Sequence, residues 1–334
     1  MNHPHRVVVI TGASAGLGRA IAHGFARREA KLALLARNPE ALNAAVDECN
    51  ALGGEAIAIP TDVSDAQAVE AAADRAEHEL GPIDVWVNNA MVSVFSPVKE
   101  MEAADYKRVT DVLYLGFVHG TLSALRRMQT RDRGTIIQVG SALAYRSIPL
   151  QSAYCACKHA IAGFTDSLRC ELYHDKSSIK VTHIQMPAMN TTQFGWVKSR
   201  LPKDPQPVPP IFQPEVGARV VVAAAYARHP RREYWVGSST VKAIVGQKII
   251  PGLLDRYLGK TGYSSQQIQD KPHDPEAPNN LYRYVPGTHS AHGPFGNRSA
   301  ETSPEAFYSA NRNWLVAGVA LLAAGCGLLL SQRS

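Results

Sequence analysis

The chain has 334 residues, 45% of them hydrophobic, and a formal net charge of +6. That is enough apolar material for one large domain plus extra segments, and too much for a disordered chain or a small disulfide-stapled scaffold. The basic residues are scattered among acidic ones without stacking aromatics, so no nucleic-acid partner is expected; five cysteines with no CxxC pair exclude a zinc ribbon and favour free thiols in a reducing compartment.

From residue 6 to about 237, short β-branched apolar runs alternate with alanine-rich stretches of helical period, the pattern of parallel strands joined by covering helices. Seven strands are predicted, at 6–11, 31–36, 55–60, 83–87, 134–139, 179–185 and 234–237. Their continuous apolar character implies burial on both faces, and right-handed crossovers supply the cover. The fold class is α/β, a doubly wound seven-stranded parallel sheet. The apolar run 7–10 is too short for a secretory leader and flows straight into a glycine motif, so this domain is expected in the cytoplasm. Pro39 suits a first helical turn. Thr61, Ser64 and Asp65 are candidate caps for a helix that Gly81-Pro82 ends.

The second half changes character. Residues 190–213 carry Pro202, Pro205, Pro207, Pro209 and Pro210, too many for regular structure, and read as a lid or a disordered loop. Residues 241–262 have an apolar stripe interrupted at Pro251-Gly252 and predict a bent amphipathic helix. Residues 263–313 are polar and proline-punctuated and read as a flexible linker. The uncharged run 314–330, flanked by Arg312 and Arg333, reaches the lower limit for crossing hydrocarbon and is expected to be a single transmembrane anchor.

Three groups of residues carry chemistry. Thr11-Gly12-Ala13-Ser14-Ala15-Gly16-Leu17-Gly18 is a glycine turn between a strand and a helix, where a pyrophosphate can approach backbone at a helix amino terminus. Tyr154 and Lys158 stand four apart on a predicted helix, hence on one face, where an ammonium can stabilise a phenolate. A free tyrosine, with a pKa of about 10, is a poor acid-base group at neutral pH without such help. Ser141 follows the fifth strand, at the end of the sheet where open α/β folds bind ligands.

The TGxxxGxG turn, Asp62-Val63, Asn88-Asn89-Ala90, Ser141, the YxxxK pair Tyr154 and Lys158, and Pro187-Ala188 with Thr191 and Thr192 occur in that order. Over residues 6 to 237 this combination resembles the short-chain dehydrogenase/reductase family. The resemblance implies a Rossmann-type catalytic domain over 1–240 that interconverts a carbonyl and an alcohol. The cofactor carries the hydride, Tyr154 transfers the proton, and Ser141 hydrogen-bonds the substrate oxygen. It also implies cofactor contacts at Gly12, Ser14, Gly16, Leu17, Gly18, Arg37, Asp62, Val63, Asn89, Ala90, Tyr154, Lys158, Pro187 and Thr191, and a homo-oligomer.

The second strand ends in Ala36-Arg37 rather than in an acidic residue for the ribose hydroxyls, so NADP(H) is expected over NAD(H), with Arg37 on the 2′-phosphate. Two positions depart from the family pattern. Leu113 stands where an asparagine usually serves a proton relay, with Asp111 or His119 as candidate substitutes, and Met91 replaces a glycine. Phe194, Trp196, Val197, Leu201, Ile211 and Phe212 in the lid point to a lipophilic substrate of steroid, retinoid or long-chain type. The alternatives are an NADP(H)-binding sensor or interaction protein with little turnover, and a sugar epimerase or dehydratase, which shares YxxxK.

Overall fold

The computed structural model describes residues 5–311. Seven parallel strands, β1 (Val7–Thr11), β2 (Lys31–Ala36), β3 (Glu55–Pro60), β4 (Val85–Asn88), β5 (Thr135–Ser141), β6 (Lys180–Met186) and β7 (Glu233–Trp235), form one sheet. Their spatial order is β7-β6-β5-β4-β1-β2-β3. The chain runs outward from β1 to β3, recrosses to β4 and continues the other way. The connections leaving β1 and β4 therefore diverge and open a crevice at the strands' carboxyl ends.

Alternation along β1 explains why its sequence reads as uninterrupted hydrophobicity. Val8 and Ile10 pack on one face, with Phe25 of helix α1 (Gly16–Ala26), Leu42 of α2 (Pro39–Ala51) and Val221 of α7 (Pro214–Tyr226). Val7 and Val9 pack on the other, against Ala73 of α3 (Ala66–Leu80), Phe117 of α5 (Gly116–Gln129) and Ile161 of α6 (Ser152–His174). Each face thus gets its own core. A fully buried side chain such as Phe25 contributes about 1.5–3 kcal/mol through removal from water. The local signals act as their chemistry requires: Asp65 accepts from the Gln67 and Ala68 amides at the start of α3, and Asn38 accepts from Ala41 at the start of α2.

The second half departs from expectation. Residues 190–213 are ordered by pairing: Lys198–Ser199 pairs with Val94–Phe95, Lys203–Pro205 with Gln267–Pro272, and Ile211–Phe212 with Ser299–Ala300. The last two partners belong to the supposed linker. Residues 263–311 are therefore no free tether, and Leu281, Ala291 and Phe295 within them are buried. The physical reason is polar. Carbonyls of this segment at Asn280, Leu281, Val285, Gly287, Thr288 and His289 accept from Arg37, Arg108, Asn38 and Arg19 of the sheet domain, a kind of stabilisation that hydrophobic composition does not register.

The stripe 241–262 forms two helices, α8 (Ser238–Ile249) and α9 (Pro251–Thr261). Ile244 points inward, while Ile249, Leu253 and Tyr257 are exposed. A short α4 (Ala103–Val109) leads through a π-helical turn, Thr110–Leu115, into α5. Among the described residues no helix is long and apolar enough to cross a membrane; the expected anchor at 314–330 lies outside them.

Candidate active site

Every residue expected at the site lines one cavity of about 410 Å³ at the carboxyl end of the sheet. Its floor is the glycine turn between β1 and α1. Gly12 and Gly16 have φ of +68° and +54°, a left-handed backbone that glycine adopts without strain. Gly18 is required for closeness instead, since a Cβ there would lie 2.1 Å from the Gly12 carbonyl oxygen. Asn89 clamps the turn: its Nδ2 donates to the Thr11 carbonyl at 3.0 Å, while the Asn89 and Ala90 amides donate to Thr11 Oγ1 at 2.9 and 3.1 Å. Asn89, expected as a cofactor contact, holds the turn's shape.

Ser141 ends β5. Its amide donates to Gln185 Oε1 at 2.8 Å and its Oγ accepts from the Leu143 amide at 3.1 Å. Gln185 is itself fixed, because its Nε2 donates to Glu233 at 2.6 Å, where Tyr145 and Trp235 also donate. A chain of hydrogen bonds from β7 through β6 therefore orients the serine. Sequence reasoning missed it, since Gln185 and Glu233 carry no motif.

Tyr154 and Lys158 share one face of α6. Lys158 Nζ lies 5.5 Å from the Tyr154 ring centroid and 4.8 Å from that of Phe117, and donates to the Val139 carbonyl at 2.7 Å. Burial drags the ammonium down to about 7. Burial also pushes the phenol up, with the hydrogen bond to Ser141 opposing it. A charged Lys158 at this distance favours the phenolate, and a neutral one removes that help.

The surrounding groups settle other expectations. Leu113 lies in the π-helical turn and is fully buried, packed in the same cluster as Phe117, Cys157 and Ile161. Neither candidate substitute reaches Lys158's side: Asp111 pairs with Lys107 at 2.7 Å, and His119 Nδ1 contacts the Val63 carbonyl at 2.9 Å. Both are engaged elsewhere. Asp62 is held by Arg108 at 2.7 Å and by the Ser64 amide and hydroxyl. Burial works to raise its carboxyl, but those bonds outweigh it and keep it below the usual range.

Arg37 closes the far end. Its Nη2 donates to the Asn280 carbonyl at 2.6 Å, and its buried Nη1 has no hydrogen-bond partner among the described residues. The opposite wall includes Pro187, Thr191, Phe194 and Trp196, while Asn280, Tyr284, Val285 and His289 bring the carboxy-terminal segment to the same cavity. Those last four were not foreseen. Of the lid residues, Val197 and Leu201 instead pack with Phe95 and Leu150 in a small separate core.

The residue types and their order match known proteins. The family model for short chain dehydrogenase matches residues 6–200. An uncharacterised oxidoreductase, YxnA of Bacillus subtilis, is 35% identical over 286 residues, covering 85% of this chain and 80% of its own. Putative oxidoreductase SadH of Mycobacterium tuberculosis is 34% identical over 186 residues, covering 56% of this chain and 67% of its own. Among solved structures, an alcohol dehydrogenase from Thermococcus sibiricus complexed with 5-hydroxy-NADP has a TM-score of 0.61 at 26% identity, covering 70% of this chain and 96% of its own. A metagenomic short-chain oxidoreductase in complex with NADP has a TM-score of 0.60 at 28% identity, covering 71% and 98%. This chain belongs to the short-chain dehydrogenase/reductase family and is an oxidoreductase.

Proposed function

We propose that this chain is an NADP(H)-dependent oxidoreductase that interconverts a carbonyl and an alcohol on a lipophilic substrate. The observation that carries this reading is the convergence of Ser141, Tyr154 and Lys158 with the glycine turn and Arg37 on one cavity. The residues fit a dinucleotide. Gly12, Ser14, Leu17 and Gly18 of the glycine turn line the cavity at the amino terminus of α1, where a phosphate can be held, and the orphaned Nη1 of Arg37 is a buried cationic donor of the kind a 2′-phosphate satisfies. The structural relatives bound to NADP and 5-hydroxy-NADP support the same choice.

When bound, the nicotinamide supplies or accepts the hydride. The protein's part is proton movement and placement. Ser141, oriented by Gln185, donates a hydrogen bond to the substrate oxygen; Tyr154 Oη gives that oxygen a proton in reduction and removes it in oxidation; Lys158, when charged, lowers the cost of the phenolate. Leu143, Ile148, Phe194 and Val208 wall the cavity with apolar surface, which favours a lipophilic substrate. The exposed Ile249, Leu253 and Tyr257 and the apolar run 314–330 support action at a membrane, with the catalytic domain on the cytoplasmic side, and a homo-oligomer is the other use of such a face.

Fluorescence titration tests the cofactor. NADPH should bind about 10- to 100-fold more tightly than NADH, with the preference abolished in Arg37→Ala; equal affinities would refute the assignment. A screen of ketones and alcohols followed at the nicotinamide absorbance tests the reaction. Turnover should be greatest on apolar substrates and fall by about 10³-fold in Tyr154→Phe. Turnover confined to small polar carbonyls would remove the lipophilic reading, and NADPH binding without turnover on any substrate would favour a sensor.

A further inference from the structure

The segment 280–293 crosses the mouth of the cavity and is fastened on both sides. On the glycine-turn side, the Gly16 amide donates to the Ser290 carbonyl at 3.0 Å, and Arg19 Nη1 to the Thr288 and His289 carbonyls at 2.6 and 3.1 Å. Asn38 Nδ2 donates to the Val285 and Gly287 carbonyls at 3.0 Å each, and Arg37 to that of Asn280. On the lid side, the Asn280 amide donates to the Trp196 carbonyl at 2.9 Å and the Gly293 amide to that of Asn190 at 3.2 Å. The His289 and Trp196 rings meet with centroids 4.4 Å apart. Backbone approach is close enough at Gly293 that a Cβ would lie 2.4 Å from the Thr191 carbonyl oxygen.

A segment that filled the cofactor site would leave no space behind it. Here the cavity stays open, with Asn280, Val285 and His289 on one wall and Gly12, Asp62 and Lys158 on others. We propose that residues 280–293 are a strap that completes the dinucleotide site, covering the adenosine half of a bound NADP(H), and that the strap must open for the cofactor to enter or leave. Its tie to Arg37 gives it a share in cofactor choice. With Nη2 held by the Asn280 carbonyl, Nη1 is left as the guanidinium's buried donor without a partner among the described residues. This inference rests on the cofactor reading above and adds a part of the chain outside the family match at 6–200.

Hydrogen exchange on the full-length chain tests it directly, read at the strap amides of Asn280, Gly287 and Gly293 with and without NADPH. If the cofactor is released only through the open strap, NADPH at about 100 times its Kd slows their exchange by up to about 100-fold. Faster exchange on binding would mean that cofactor displaces the strap, and unchanged exchange that the strap does not cover it; either result overturns the proposal while leaving cofactor binding intact. No NADPH binding by fluorescence would overturn both readings together. As a second arm, Asn38→Ser keeps a capping oxygen for the Ala41 amide and removes both bonds to the strap. Stopped-flow release of NADPH should then be about tenfold faster, and an unchanged release rate counts against the strap.

Discussion

At the residue scale the site depends on two groups whose buried environments pull against their ordinary ionisation. Lys158 is drawn down to about 7 by burial, so between that value and its ordinary value of 10.5 the unfolded chain binds a proton that the folded one has released. Stability of the ligand-free protein therefore rises with pH across that interval. Above about 9 the buried thiols Cys49, Cys155 and Cys157, all raised by burial, hold protons in the folded state and oppose the trend. Urea unfolding of the ligand-free chain should show stability climbing from pH 7 to 9, and Lys158→Met should flatten the slope. An identical slope in the variant would place the titration elsewhere. The Tyr154 and Lys158 pair was legible because four residues is one helical turn. The support behind Ser141 was not, because Gln185 and Glu233 lie on different strands and only β6 against β7 brings them together.

At the scale of elements, the strand-turn-helix unit β1-α1 carries the most specific geometry. Its glycines were readable as a turn that must admit a phosphate, but which glycine is needed for φ and which for space became plain only once Asn89 and Ala90 were seated against it. Gly18→Ala forces a methyl into the Gly12 carbonyl. Overpacking of this kind costs about 1–3 kcal/mol, and NADPH affinity should fall about 10- to 100-fold in a fluorescence titration. Gly163→Ala, where a Cβ on the same type of backbone would meet nothing within 4 Å, should leave affinity unchanged and raise stability by up to about 1 kcal/mol. Equal loss in both variants would show that the turn's closeness is not what binds. The lid region misled for a related reason. Proline count argues against regular hydrogen bonding within a segment, but short strands such as Lys203–Pro205 can borrow partners from a remote one.

At the scale of the whole molecule, two carboxy-terminal features carry the proposed membrane association. The exposed apolar residues of α8 and α9 and the run 314–330 together predict membrane association. Full-length protein should sediment with membranes in detergent-free high-speed fractionation, and deletion of residues 314–334 should release most of it. Full-length protein remaining in the supernatant would leave the exposed face of α9 to a protein partner.

The sequence by itself determined the sheet, its seven strands and the order of the motifs, because these rest on local signals: short continuous apolar runs, helical period, caps and glycine turns, each readable within a few residues. Only the tertiary structure decided that Asn280, Tyr284, Val285 and His289 line the cavity, that His119 meets the Val63 carbonyl, and that Arg37 is held by the Asn280 carbonyl. Those facts depend on hydrogen bonds between backbone groups and side chains more than 240 positions apart in the case of Arg37 and Asn280. A backbone carbonyl has the same chemistry at every residue, so nothing in the local sequence marks which one will meet a distant guanidinium.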